Sequence, residues 1–159
     1  MNFTIRTSRK EDMTKVLSLI KELALFEKET NAVEVTVNDL ERDGFDSSPL
    51  FHCFVAEIEG DIAGMALVYP RYSTWKGKTI HLEDLVVRES KRGLGIGSAL
   101  LDEVVKYGAA QGVKRIEWAV LDWNKPAIGL YEKKGAHVLR DWDVVQLDET
   151  GIKNYLATI

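Results

Sequence analysis

Cysteine and long apolar runs are scarce in this sequence, and their scarcity narrows the classes of protein it can encode. Among its 159 residues there is one cysteine, Cys53, so no disulfide can form within the chain and a cytoplasmic location is expected. No stretch approaches the roughly 20 consecutive apolar residues of a membrane-spanning helix, and the first residues show no signal-peptide pattern. We therefore expect no membrane partner.

An excess of positive charge is also missing. The chain has 21 Lys and Arg against 25 Asp and Glu, whereas non-specific nucleic-acid binding depends on clustered cations. We therefore expect no nucleic-acid partner. Internal repeats and linkers rich in Pro, Gly or Ser are absent too, and the hydrophobic fraction of 45% is that of an ordinary globular protein. This composition predicts a single domain over residues 1–159.

The sequence also lacks clusters of metal-binding residues. His52 stands next to Cys53, but we interpret the cysteine as a small apolar residue packed in a strand. His81 and His137 are interpreted as incidental strand residues. Because nothing has metal-ligand spacing, no metal is expected.

Hydrophobic periodicity and capping signals predict alternating elements. Ser8 with Glu11, and Thr36 with Asp39, have the spacing of capping boxes that begin helices. The predicted strands are 2–6, 51–58, 62–72, 78–87, 113–121 and 136–147. The predicted helices are 8–26, 36–44, 95–110 and 125–134, with a short helical turn from Thr150 onward.

The order of these elements predicts the fold class. An antiparallel meander comes first, and a β-α-β crossover, which requires one parallel strand pair, follows it. We therefore expect an α/β fold with a mixed, mostly antiparallel central sheet. A doubly wound sheet is disfavoured because the glycine-rich turn follows the fourth strand rather than the first.

That glycine-rich turn, Arg92-Gly93-Leu94-Gly95-Ile96-Gly97, opens a predicted helix and can bind phosphate. Helix N-termini have unpaired N–H groups and partial positive charge, and glycines allow close approach of a pyrophosphate. A Walker A loop would end in Gly-Lys-Ser/Thr, which this turn lacks. A dinucleotide fingerprint would need a third glycine where Ser98 stands.

Two motifs together resemble the GNAT acetyltransferase superfamily. The first is Arg-x-x-Gly-x-Gly after Leu82–Val87, and the second is Asp122–Ala127 followed by Tyr131 and Lys134–Ala136. Further stretches are similar to the diamine (spermidine/spermine) N-acetyltransferases, a subfamily that also contains enzymes acting on thialysine. These stretches are 20–24, 43–45, 52–53, 82–84 and 92–98. The resemblance implies a GNAT-like fold and transfer of an acetyl group from acetyl-CoA to a primary amine.

The resemblance also assigns cofactor and catalytic residues. Glu83 is expected to accept a proton from the amine, and Tyr131 to protonate the departing CoA thiolate. Transfer is expected to be direct, without a covalent enzyme intermediate. The expected acetyl-CoA contacts are Leu85, Val86, Val87, Arg92, Gly93, Leu94, Gly95, Ile96, Gly97, Ser98, Asn124, Lys125, Pro126, Ala127 and Lys134.

Substrate recognition is expected from carboxylates and aromatic faces, because both stabilise a cation. The candidates are Phe26, Glu27, Trp75, Glu83, Asp84, Glu117, Trp118, Ala119 and Trp142. Ser73 stands where the polyamine enzymes have an acidic residue, so one ammonium partner is missing.

Several functions therefore stay open. The first is N-acetylation of a polyamine or diamine-like small molecule, and the second is N-acetylation of thialysine or another amino-acid-like amine. Acetylation of a peptide or protein and a CoA-binding sensor without turnover are further alternatives. The resemblance also implies a homodimer whose C-terminal strands contribute across the interface.

Overall fold

The computed structural model describes residues 2–159, and the chain divides into two compact units, Met1–Leu121 and Asp122–Ile159. We name these the N-terminal unit and the C-terminal unit. The expectation that residues 1–159 act as one domain stays a prediction. No helix of the described part of the chain is both long and apolar enough to cross a membrane.

The N-terminal unit contains one five-stranded sheet with helices between its strands. Its elements are β1 Thr4–Thr7, α1 Met13–Phe26, α2 Val37–Phe45, β2 His52–Ile58, β3 Asp61–Ser73, β4 Gly77–Val87, α3 Ile96–Ala110 and β5 Ile116–Glu117. Short 3-10 turns occupy Lys10–Asp12 and Glu89–Lys91. The C-terminal unit contains α4 Lys125–Lys133 and α5 Glu149–Leu156.

The sheet has the order β1-β2-β3-β4-β5. The pairs from β1 to β4 are antiparallel, and β4 pairs with β5 in parallel. Helix α3 provides the crossover that a parallel pair requires. The predicted mixed, mostly antiparallel sheet with one parallel pair is confirmed.

Helix α1 forms the core of the N-terminal unit with the strands. Its apolar side chains recur at helical spacing, so Met13, Val16 and Leu19 are completely buried. They belong to one cluster with strand residues such as Val55 and Met65. The C-terminal part of α1 also faces the core, since Ala24 is buried and Leu23 packs against the cluster.

Helix α3 packs against β3 and β4 through a glycine. A Cβ on Gly64 would lie 2.9 Å from the Val86 carbonyl oxygen and 3.3 Å from the side chains of Ile96 and Leu100. Because any larger residue would collide with the backbone here, Gly64 lets the first turn of α3 approach the end of β4 closely.

The capping predictions had different outcomes. Thr36 and Asp39 form the predicted capping box, with the Thr36 N–H donating to the Asp39 carboxylate at 2.9 Å. The predicted Ser8–Glu11 box is wrong, because the Ser8 N–H donates to the Cys53 carbonyl at 2.8 Å and continues the β1–β2 pairing. The Arg9 N–H instead donates to the Asp12 carboxylate at 2.7 Å. The interpretation of Cys53 as a buried apolar residue is confirmed, and burial raises the pKa of its thiol to about 12.

The last predicted strands are the largest error in the fold. The strand predicted over 113–121 is limited to Ile116–Glu117, and no strand is formed over 136–147 within the described chain. Apolar residues predict strand propensity, but a strand also needs a neighbour to accept its hydrogen bonds. In contrast, α5 spans Glu149–Leu156 and is longer than the turn predicted from Thr150.

Candidate active site

The glycine-rich turn has the backbone that its sequence predicts. Gly93 and Gly95 have φ of 79° and 81°, in the left-handed region that favours glycine. A Cβ on either residue would meet nothing within 4 Å, so the turn is open on this side. Gly95 is the N-cap of α3, and the first N–H groups of that helix have no partner within the helix. The turn can therefore receive an anionic group.

Two side chains of α1 contact the glycine-rich turn and the residues just before it. The Arg92 guanidinium lies 5.2 Å from the centre of the Phe26 ring, and its Nε donates to the Val87 carbonyl at 3.2 Å. The Glu89 N–H donates to the Glu22 carboxylate at 2.6 Å. Sequence reasoning missed Glu22, because nothing in its local pattern indicates a partner so far along the chain.

Strand β4 has one edge that is only partly paired in the N-terminal unit. Along β3 it pairs from Gly77 to Val87, whereas with β5 it pairs only at Ile80 and His81. As far as this unit is described, the β5-facing edge at Leu85–Val87 has no strand partner. An extended ligand could add to this edge as a strand does.

A β-bulge lies at the centre of β4. Val68 pairs with Leu82 and Leu67 pairs with Asp84, so Glu83 is the extra residue of the bulged strand. Bulges redirect side chains and are common next to active sites. This bulge presents Glu83 and Asp84 in succession at the point where the pairing with β5 has ended.

Three carboxylates meet around this bulge, and we name Glu27, Glu83 and Asp84 the acidic cluster. Burial raises the pKa of Asp84 to about 6, and the charges of Glu83 and Glu27 contribute to this rise. Burial and the neighbouring Glu29 also raise the pKa of Glu27. Like charges at this spacing repel each other, so a bound cation would stabilise the cluster.

The raised pKa of Asp84 predicts a pH dependence of stability. The folded protein holds this proton more tightly than the unfolded chain, whose carboxyl titrates near pH ~3.9. The contribution of Asp84 to the free energy of unfolding therefore falls as pH rises from about 4 to about 6. Asp84→Asn should remove this loss, and the variant should gain on the order of 2 kcal/mol relative to wild type between pH 4.5 and pH 7.5.

Urea denaturation at the two pH values measures this gain. Asp39→Asn is the control, because hydrogen bonds from Thr36 lower the pKa of Asp39, so its effect on stability changes with pH only below about pH 4. Its stability relative to wild type should therefore stay nearly constant between the two pH values. A difference between Asp84→Asn and wild type that does not change with pH would contradict the prediction.

Other predicted substrate residues of the N-terminal unit lie away from the acidic cluster. Trp75 is 82% exposed at the tip of the β3–β4 hairpin. The strand from Gly77 to Glu83 is about 20 Å long at ~3.4 Å per residue, so the structure does not bring Trp75 to the cluster. The Ser73 hydroxyl accepts the N–H groups of Trp75 and Lys76 and so serves the turn. A role for Trp75 in binding stays a prediction.

The residues on and after β5 are arranged differently. The Glu117 carboxylate lies 3.0 Å from the Arg115 guanidinium, and Glu117 is paired with His81 of β4. Trp118 is partly buried and Ala119 is exposed. Their assignment to substrate binding is untested.

In the C-terminal unit, the second motif begins α4. The Asn124 side chain accepts the Ala127 N–H at 3.3 Å and caps the helix, and Pro126 lies in its first turn. Tyr131 is buried, and Lys134 is the C-cap. Trp142 is 70% exposed. The Asn-x-Pro spacing therefore has a local structural role besides any role in binding.

Sequence reasoning missed one residue beside the acidic cluster. His81, interpreted as incidental, has its Nε2 only 3.6 Å from the Glu83 carboxylate. The signal was present, since residues two apart on a strand share a face. No cluster of three or more metal-ligating side chains occurs among residues 2–159, the part that the structure describes.

Comparison with known proteins decides the family. Residues 15–136 match the model of the Acetyltransferase (GNAT) family. The chain belongs to this family. A thialysine N-epsilon-acetyltransferase of Bos taurus is 41% identical over 145 residues, which are 86% of this chain and 85% of the relative. A spermidine/spermine N(1)-acetyltransferase-like protein of Homo sapiens is 36% identical over 84% of this chain and 20% of its own length.

Solved structures show the same fold. An integron cassette protein from the mobile metagenome of V. cholerae has a TM-score of 0.80 at 21% identity, and the match covers 100% of this chain and 99% of that one. Together with the family match and the named acetyltransferase relatives, the fold identifies this member of the GNAT family as an acetyl-CoA-dependent N-acetyltransferase.

Proposed function

We propose that this enzyme acetylates a primary amine of a small, cationic, thialysine-like molecule. The observation that carries the proposal is the position of two members of the acidic cluster, Glu83 and Asp84, on the strand that leads into the glycine-rich turn. A cationic amine attracted to Glu83 and Asp84 would lie near the unpaired edge of β4. The Bos taurus relative, named for thialysine, supports an amino-acid-like amine.

The N-terminal unit has the features that acetyl-CoA requires. The open turn with Gly93 and Gly95 suits its pyrophosphate, with Arg92 as a nearby cation. The edge at Leu85–Val87 suits its extended pantetheine arm. From resemblance we add Leu94, Ile96, Gly97, Ser98, Asn124, Lys125, Pro126, Ala127 and Lys134 as contacts. When bound, acetyl-CoA supplies the acetyl group as a thioester.

Gly95→Ala tests the role of the glycine-rich turn in binding CoA. An alanine in the left-handed region costs about 1 kcal/mol of stability, and its Cβ would stand on the open side of the turn. We expect the Kd for CoA, measured by calorimetry, to rise at least about 10-fold because the N–H groups at the helix N-terminus lose their alignment.

Gly112→Ala is the matched control for this prediction. Gly112 also has a positive φ, of 67°, and open space around it, but it lies after the other end of α3. Its stability should fall by a similar amount while the Kd for CoA stays within about twofold. Equal Kd values for the two variants would contradict the assignment of the turn.

Two proton transfers complete the proposed chemistry. A primary amine has a pKa near ~10.4, so most of it is protonated at pH 7 and cannot attack a thioester. We assign to Glu83 the removal of this proton, directly or through water. We assign to Tyr131 the protonation of the departing thiolate, a group that resembles a cysteine thiol of pKa ~8.5.

A polyamine is the second candidate, and the acidic cluster itself favours it. Three carboxylates suit a substrate with several ammonium groups and no carboxylate of its own. Ser73 weighs against it, since this position provides a hydroxyl that is used in the turn. Glu117, Trp118 and Trp142 stay candidate substrate contacts for either amine.

A substrate panel separates the two candidates. Purified protein is given acetyl-CoA with thialysine, lysine, spermidine, spermine, putrescine or a lysine-containing peptide, and thiol release is followed. We expect thialysine to have the highest kcat/KM. A higher kcat/KM for spermidine would transfer the assignment to polyamines, and activity confined to the peptide would overturn both.

We also propose, from resemblance, that the single domain acts as a homodimer in the cytoplasm.

A further inference from the structure

A row of three side chains crosses the sheet beside the acidic cluster. Tyr69 of β3 is paired with His81 of β4, and His81 is paired with Glu117 of β5. Residues paired in this way have their side chains on the same face of a sheet. The ring centres of Tyr69 and His81 are 5.1 Å apart, so the imidazole packs beside the phenol.

The two nitrogens of His81 have different surroundings. Nε2 lies 3.6 Å from the Glu83 carboxylate, within the range of an ion pair. Nδ1 is buried and has no hydrogen-bond partner among the described residues, whereas the Glu117 carboxylate is paired with the Arg115 guanidinium at 3.0 Å. The Nε2 edge of the imidazole therefore faces the Glu83 carboxylate.

We propose that His81 is a positioning residue for Glu83. It orients the Glu83 carboxylate toward the amine and takes over the proton that Glu83 receives. This proposal rests on the proposed function, because it assumes that Glu83 acts as the base.

The proton passes from the amine to Glu83 and then to His81, and every transfer in this sequence conserves protons. The substrate ammonium gives one proton to a Glu83 carboxylate oxygen and becomes a neutral amine. Glu83 passes the proton to His81 Nε2 and returns to a carboxylate, and the imidazolium releases it to solvent. Acetylation of an ammonium by a thioester releases one net proton, and this is the proton that His81 conducts.

Several charged and polar groups surround His81. Glu83 lies beside its Nε2, and Glu117, which is paired with His81 across the sheet, is 3.0 Å from Arg115. Burial and a hydrogen bond with Glu83 raise the pKa of Tyr69, so this phenol stays neutral near pH 7. The other charged groups near Tyr69, His81 and Glu83 are Glu27, Arg71 and Asp84.

Two variants of His81 test the proposal by kinetics. His81→Phe keeps a ring beside Tyr69 but has no nitrogen, and His81→Gln restores a hydrogen-bonding group without a charge. With thialysine and spermidine as substrates, we expect His81→Phe to lower kcat about 10- to 100-fold while the KM for acetyl-CoA changes less than twofold. His81→Gln should recover part of kcat. In both variants the pH profile of kcat/KM should change, because the group that accepts the proton from Glu83 is lost.

A measurement independent of turnover separates this proposal from the proposed function. The ring nitrogen signals of His81 are recorded by NMR in wild type and in Glu83→Gln, and the Nε2 signal should move in the variant because its carboxylate neighbour is lost. His137→Gln, at an exposed position, should leave the pH profile of kcat/KM unchanged. An unmoved Nε2 signal, or a His81→Gln pH profile identical to wild type, would overturn the positioning role. Absence of turnover in wild type would overturn the proposed function instead.

Discussion

Replacing Tyr131 with phenylalanine is expected to lower kcat about 100- to 1,000-fold and to change the KM for the amine less than twofold. The phenol is the assigned donor of a proton to the departing thiolate, and general acid catalysis contributes about 10²–10⁴-fold. Because phenylalanine keeps the buried ring, the fold of α4 should be retained. A fall in kcat at constant KM indicates the loss of an interaction made only in the transition state.

Initial rates of thiol release, with thermal melts of both proteins, test this prediction. Tyr155→Phe is the control, since Tyr155 is an exposed tyrosine of α5 in the same unit and has no assigned role. It should have the kcat of wild type. A Tyr131→Phe enzyme with wild-type kcat would remove the phenol from the mechanism, although acetyl transfer itself would stand.

Glu83→Gln is expected to lower kcat/KM for the amine about 100- to 1,000-fold at pH 7. The amide is nearly isosteric but cannot accept the proton of the ammonium. The loss should shrink as pH rises toward ~10, because a growing fraction of the amine is then neutral without help from the enzyme. Loss of attraction for the cation adds a smaller term that changes little over this range.

The pH dependence of this ratio is the informative measurement. Glu103→Gln is the control, since Glu103 lies on α3 and pairs with Lys106 on the surface. Its kcat/KM should match wild type across the pH range. A Glu83→Gln deficit that is the same at pH 7 and pH 9.5 would indicate a binding role for Glu83 rather than proton transfer.

The features that could be predicted from the sequence are those with local causes. The Thr36–Asp39 capping box needs only neighbouring residues, and it is formed as predicted. The strand before the glycine-rich turn and the helix after it follow from periodicity and from the turn itself. Ser8 shows the limit of such reasoning, because its N–H is used by a strand far along the chain.

The features that could not be predicted depend on register and burial. The bulge at Glu83 exists only because β3 and β4 pair with a shift between Leu67 and Val68, which no local pattern encodes. The raised pKa of Asp84 could not be predicted, because it depends on the burial of the carboxyl group and on the charge of Glu27 at the end of α1. His81 gained significance only when the pairing placed it beside Glu83.

Acetyl transfer to a primary amine is tested most directly by one assay. Wild-type protein is incubated with acetyl-CoA and the amine panel, free thiol is counted, and the amine product is identified by mass spectrometry. We predict one N-acetylated amine for each thiol released, with cationic small molecules as the best substrates. Binding of CoA without thiol release above background for any primary amine would contradict the account.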